Sequence, residues 1–342
     1  MVRLARCQTI DPNDVVVSHV WNRTVRKCFL MGNDRDSGKN FDHRKQWIEG
    51  SLRHFGIDLL GFAILSNHFH LILRTRPDVV ATWSDHEVAR RWLCLCPQQK
   101  HADGSPCEPT EAEIKTITGC PVRLAEIRTR LSNISWWMRL LCQRIAMRAN
   151  REDAQHGRFW QDRYKATVLS DEASLLACSA YVDLNPIRAA MCQKLEDSDH
   201  TSVQRRIEAR SDDDALRERR DAFLSPLCID EAGDAVGPVA SKGSCRCSDK
   251  GYLAMTLEDY LLLLDWTARR SAGGKRGKTP ACVRPILDRI GIAESNWCDL
   301  VSEFGQLFGC VAGKPPVVDA MRTPLGNRRL YLKRRARELM TS

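Results

Sequence analysis

The sequence predicts an α+β fold: a ferredoxin-like antiparallel sheet with helices on one face, followed by a small helical C-terminal domain. Three observations lead there. Up to Pro186, β-branched and apolar runs alternate with amphipathic stretches in the order strand, helix, strand, strand, helix, strand, helix. After about residue 254 only helix-like periodicity remains. Between the two, from about 195 to 250, the chain is charged and then rich in Gly, Ser and Pro ("DEAGDAVGPVASKGSCRCSDKG"), as a linker would be. The expected division is residues 1–210 with an insertion at 97–122, a linker at 211–253, and a helical, basic domain at 254–342.

The elements follow in order. Residues 14–31, "DVVVSHVWNRTVRKCFLM", read as strand material. "DHRKQWIEGSLRHFG" reads as an amphipathic helix ending at Gly56. "IDLLGFAILSNHFHLILRTRP" reads as two strands joined by a turn near Ser66 and Asn67 and stopped by Pro77. Residues 84–96 look helical, 97–122 look like a polar surface insertion, and a longer helix is expected over about 123–151. "GRFWQDRYKATVL" is a strand candidate. "SDEASLLACSAYVDLN" is a helix with Ser170 or Asp171 as N-cap and Pro186 just beyond its end. "AMTLEDYLLLLDWTARR", "PACVRPILDRIG" and "ESNWCDLVSEFGQLFG" each read as a helix.

Bulk composition narrows the classes. No apolar run approaches the roughly 18 residues of a membrane span, and the N-terminus lacks an apolar signal core, so a cytoplasmic protein is expected. Fifteen scattered cysteines suit reduced thiols better than a disulfide framework. The formal charge of +9 favours a polyanionic partner. Between Arg322 and Arg337 stand seven basic residues and no acidic one, which makes the C-terminal segment a candidate for holding such a polyanion, nucleic acid or a membrane surface, or simply a solvated helix end.

The chemistry centres on "SNHFHLIL". In a strand, residues two apart share a face, so His68 and His70 present two imidazoles side by side, while Phe69, Leu71 and Leu73 face the other way. Neutral imidazole is a common ligand for divalent metals. A third ligand must come from elsewhere. Tyr181 and Asn185, four apart on one helical face, offer an amide oxygen suited to Mg²⁺ or Mn²⁺ and, one turn away, a phenol. A phenol beside such a metal is a candidate nucleophile for a phosphodiester. The phosphotyrosine ester formed would keep the energy of the broken bond, so that a second hydroxyl could reverse the step.

"SNHFHLIL", "GRFWQDRYKATVL" and "YVDLNPIRAAM" occur in an order and context that resembles the single-tyrosine HUH transposases, most of all the REP-associated tyrosine transposases of bacteria. "VSHVWNRTVRKCFL" resembles that family's first strand. The likeness covers about residues 1–210 without the insertion. It implies an HUH nuclease core, with His68, His70 and Asn185 as metal ligands and Tyr181 as the nucleophile that cleaves single-stranded or hairpin DNA through a 5′-phosphotyrosine. It implies a monomer or a homodimer. Basic residues near these motifs (Arg23, Arg26, Arg163, Lys165 and Arg188), with Arg334 and Arg335 in the C-terminal run, are candidate DNA contacts. The insertion, the cysteines and the segment after residue 250 depart from the family pattern.

Alternatives stay open. His68 and His70 could be buried histidines satisfied by carbonyls, and Asn185 a plain helix end. Tyr164 is a rival to Tyr181. Trp136 and Trp137 could stack on DNA or pack in a core. The protein as a whole could be a DNA-binding protein without catalysis, or a phosphodiesterase using water. "AGGKRGKT" only approximates a phosphate-binding loop, and the cysteines of "CLCPQQKHADGSPC" and "CRC" lack usual zinc spacing.

Overall fold

The computed structural model describes residues 11–25, 28–34, 38–45, 47, 54–101, 107–210, 220–229, 241, 245–271, 279–322 and 330–341. One mixed five-stranded sheet organises them. Strands β1 (Val17–Arg23), β2 (Ile57–Ile64), β3 (His68–Thr75), β4 (Lys165–Leu169) and β5 (Val311–Ala312) lie in the order β2-β3-β1-β4-β5. The first four pair antiparallel, and β5 runs parallel to β4. The β2–β3 hairpin stands where the sequence predicts it, with Leu65 N–H donating to the His68 carbonyl across the turn.

Helices cover both faces of this sheet. On one face pack α1 (Pro77–Thr82), α2 (Asp85–Leu95), α3 (Glu111–Thr118), α4 (Pro121–Leu131) and α5 (Ile134–Glu152), around Val20, Phe62, Ile64, Phe69, Leu71 and Leu73. On the other face, α6 (Glu172–Asp183) meets Leu60, Ala63 and Ile72. The expectation of helices on a single face is therefore corrected, and so is that of a purely antiparallel sheet. Near-continuous burial along β2 and β3 is the physical sign of two-sided cover.

Three helix readings change in detail. The segment 97–122, expected as a polar surface insertion, contains α3, started by a capping box between Thr110 and Glu113. The long helix expected over 123–151 is two, α4 and α5. The break falls at Asn133, whose side chain accepts from the amides of Ser135 and Trp136 and so opens a new N-terminus. Asp171, not Ser170, caps α6, accepting from the Ser174 amide. The helix expected over residues 42–56 falls outside the described residues at 46 and 48–53; a 3₁₀ turn spans Asp42–Lys45. The near-P-loop at 272–279 lies outside them apart from Thr279.

Helix α7 (Asn185–Arg188) follows α6 directly, with Pro186 in its first turn. Next comes α8 (Ser202–Glu208), which covers the outer edge of β2: Ser202 Oγ accepts from Phe62 N–H, and Arg206 donates to the carbonyls of Leu60 and Ser225. The described parts of the stretch read as linker are held to the sheet. Arg74 donates to the carbonyls of Lys250 and Gly251, and Ser248 donates to the buried carboxylate of Asp58, which also pairs with Arg74 and Arg76.

The C-terminal segment supplies α9 (Leu257–Ser271), α10 (Val283–Ile290), α11 (Glu294–Leu307), β5, α12 (Pro315–Arg322) and α13 (Arg334–Leu339). Its buried residues Tyr260, Trp297, Leu300 and Phe304 share one apolar cluster with Leu176, Ala177 and Ala180 of α6. The sheet and this cluster both cross the boundary expected between residues 210 and 254.

Candidate active site

On β3, His68, His70 and Ile72 face α6; on the neighbouring β1 so do His19, Trp21 and Arg23, because Arg23 stands opposite His68 and Trp21 opposite His70. The alternation predicted from the sequence holds: Phe69, Leu71 and Leu73 belong to the core on the far side. His70 is buried and His68 half-buried at the strand's open end.

Helix α6 brings Tyr181 to this face. Its ring stands edge-on to His70, with centroids 5.4 Å apart, and edge-on to His19 at 5.8 Å. Asn185 stands one turn on, at the start of α7. Arg188 places its guanidinium 5.2 Å from the Tyr181 ring centre and donates to the Ser302 carbonyl of α11. Of the four residues singled out from the sequence, His68, His70 and Tyr181 meet on this face, and Asn185 stands one turn beyond Tyr181. Tyr164 is not among them. It is buried in the opposite core, with its hydroxyl 2.8 Å from Ser135 Oγ. Trp137 is core, and Trp136 is packed between Arg130 and Arg139.

Two residues of the site were not singled out from the sequence. His19 Nε2 lies 2.9 Å from His70 Nδ1, with the two rings nearly parallel. Phe304 of α11 closes the other side, 5.6 Å from the Tyr181 ring. The signal for His19 was present in the alternation of "VSHVWNR", where it shares a face with Trp21 and Arg23. Nothing local marks Phe304.

Burial sets the protonation states. It lowers the pKa of His19 to about 3. It lowers His68 to about 4, helped by Arg23. His70 is held well below the usual imidazole range by burial first, then by His19, His68, Arg23 and Arg188. All three rings are neutral at pH 7, the state in which imidazole ligates metals. Burial pushes the Tyr181 phenol up, with Arg188 and the Asn185 hydrogen bond opposing.

Hydrogen bonds bear on which ring nitrogens are available. Asn67 Oδ1 is an acceptor, so His68 Nδ1–H donates to it at 2.7 Å, which leaves the Nε2 lone pair. His70 Nδ1 lies 2.9 Å from His19 Nε2; when Nδ1 is the donor of that bond, Nε2 keeps the lone pair. Two imidazole nitrogens and an amide oxygen form a set that could hold Mg²⁺ or Mn²⁺. Among the described residues no group of three or more His, Cys, Asp or Glu side chains is arranged to hold a metal. Two histidines completed by the Asn185 amide make a donor set of a different composition.

Around the site the basic candidates divide. Arg23, Arg163 and Arg188 are exposed, and Lys165 rests its ammonium 4.1 Å from the Trp21 ring centre. Arg26 lies outside the described residues. Arg334 and Arg335 sit far along the chain on α13, where Arg334 pairs with Glu338 and Arg335 with Asp299. Arg328 and Arg329 lie outside the described residues.

In comparisons with family models, with curated proteins and with solved structures, nothing matches this chain. Among the described residues no helix is long and apolar enough to cross a membrane.

Proposed function

We propose that the protein is a transposase-like DNA endonuclease and strand transferase of the single-tyrosine HUH kind, acting on single-stranded or hairpin DNA. The observation that carries this reading is the placement of one phenol, Tyr181, edge-on to His70, with Asn185 one helical turn further along the chain. Order β4-β1-β3-β2 within the sheet is consistent with a ferredoxin-like core.

Tyr181 Oη attacks the phosphorus. The bond from phosphorus to the 3′ oxygen breaks, and its electron pair leaves with that oxygen, which takes up a proton. A 5′-phosphotyrosine and a free 3′-hydroxyl result. Because burial raises the Tyr181 pKa, the phenol starts protonated and gives up its proton as the new bond forms. His68 Nε2, His70 Nε2 and the Asn185 amide oxygen are the atoms that would hold Mg²⁺ or Mn²⁺. Lewis-acid polarisation of the scissile phosphate is what an ion held there would supply. Arg188, beside the ring, is placed to meet the phosphate's charge.

Mass spectrometry tests the reading. Full-length protein is incubated with Mn²⁺ and a hairpin or single-stranded oligonucleotide, and the Tyr181 peptide is searched for a 5′-phosphate-linked DNA fragment. Cleavage without an adduct would instead mark a phosphodiesterase using water. Binding without cleavage would mark a DNA-binding protein that lacks catalysis.

A further inference from the structure

We infer that His19 is a positioning residue that fixes the tautomer and ring plane of His70, by accepting a hydrogen bond from His70 Nδ1–H and leaving His70 Nε2 as the free donor. The inference rests on the reading of His70 as a metal ligand.

The two histidines are diagonal neighbours across the β1–β3 ladder, since His19 stands opposite Ile72 and His70 opposite Trp21. Their nitrogens are 2.9 Å apart, and their planes differ by only 13°. His19 is 2 % exposed and His70 4 % exposed, so little water competes for the bond. Rings on two elements hold His19 in place: Tyr181 of α6 and Phe304 of α11 both stand edge-on to it, at 5.8 and 6.1 Å.

A neutral imidazole has one N–H and one lone pair, and a neighbour that accepts at one nitrogen directs the lone pair to the other. Unassisted, histidine in water favours the tautomer protonated on Nε2. His70 would then present its lone pair toward His19 and carry its proton on Nε2. Reversing that preference requires an acceptor at Nδ1, and His19 Nε2 is the atom in reach. Asn67 does the same for His68, with its amide oxygen 2.7 Å from Nδ1. Each candidate ligand thus has its own acceptor behind it, the arrangement by which outer partners orient metal-binding histidines. His19 contributes no donor to the metal itself in this arrangement, because its Nε2 is spent on His70.

The test uses full-length protein labelled with ¹⁵N-histidine, with the His70 signals assigned by their loss in His70→Gln. Long-range ¹H–¹⁵N correlation spectra at pH 7.5 report which nitrogen carries the proton, with no metal and no DNA present. Wild type is expected to show His70 protonated on Nδ1. His19→Phe keeps a ring but removes the acceptor, and is expected to move the proton to Nε2. His19→Gln supplies an amide oxygen and is expected to restore Nδ1. In parallel, Mn²⁺ titration followed by electron paramagnetic resonance should show binding about 10–100-fold weaker in His19→Phe, with most of the loss recovered in His19→Gln. Should His19→Phe not fold, wild type and His19→Gln still decide the matter. His70 protonated on Nε2 in wild type overturns the inference, as does unaltered Mn²⁺ affinity in a folded His19→Phe. Wild type that fails to bind Mn²⁺, or binds it equally well as His70→Ala, sinks the metal site under the proposed function; the tautomer spectra then still judge His19.

Discussion

A Cβ atom built on Gly305 would lie 2.7 Å from the hydroxyl oxygen of Tyr181 and 3.3 Å from its Cζ. Helix α11 therefore runs against the candidate nucleophile with only a glycine's thickness to spare. Gly305 lies inside a helix, where glycine is ordinarily a disadvantage of about 1 kcal/mol against alanine, so its presence here is explained by the phenol it faces.

A double-mutant cycle follows from that contact. Gly305→Ala alone should destabilise the protein by about 1–3 kcal/mol, because Tyr181 or α11 must move to admit the methyl group. In a Tyr181→Phe background the nearest oxygen is gone, and the helix preference for alanine then offsets much of the remaining crowding. Chemical denaturation of the four proteins measures the coupling. Equal costs of Gly305→Ala in both backgrounds would mean that the two residues do not press on each other.

Tyr181→Phe should abolish the covalent adduct with DNA while leaving the fold intact. Tyr164→Phe should retain the adduct and lose about 1 kcal/mol of stability, the worth of one ordinary hydrogen bond, here that to Ser135. Adduct formation by Tyr181→Phe would transfer the nucleophile's role to another residue.

Loss of a ligand should weaken Mn²⁺ dependence at least as much as loss of an outer partner does, about 10–100-fold. His68→Ala and His70→Ala should meet that bound yet still bind DNA, since phosphate contacts supply most of the affinity. Asn185→Ala should have the smaller effect, because water can replace one oxygen ligand. Titrating Mn²⁺ against cleavage rate checks all three; one shared midpoint with wild type would place the metal elsewhere.

The salt dependence of DNA binding should sort the arginines. Arg23, beside His68, and Arg163, just before β4, are both exposed; each should lower the slope of log K against log salt by about 0.7 when replaced by alanine, if each meets one phosphate of a single strand. Arg335, already paired with Asp299, should change it less. A larger effect from Arg335→Ala would return the C-terminal run to the DNA interface.

Truncation should be disruptive. The sequence suggests that residues after about 250 are dispensable for bond breaking, because all four candidate site residues precede 190. In the structure that segment carries β5 and the helix that covers Tyr181. A chain ending near residue 250 should lose its cooperative thermal transition and bind a hydrophobic dye, having exposed the apolar face of α6. A sharp melt with full adduct formation would show that the first 250 residues stand alone.

Local pattern determined a good deal by itself. The period of two in "NHFHLIL" put His68 and His70 on one face and three apolar residues on the other. The four-residue step from Tyr181 to Asn185 put the phenol and the amide on one helical turn. Turn and capping chemistry placed the β2–β3 hairpin and the start of α6. Each of these depends on residues within a few positions of one another, so they are readable along the chain. Tertiary structure alone decided the rest. His19 becomes a partner of His70 only through the register of β1 against β3, and Phe304 and Gly305 reach Tyr181 across more than a hundred residues. Which side of a sheet an amphipathic helix covers is likewise set by complementary packing with elements far away in sequence. Periodicity reports that a face is apolar, and packing alone says what it meets.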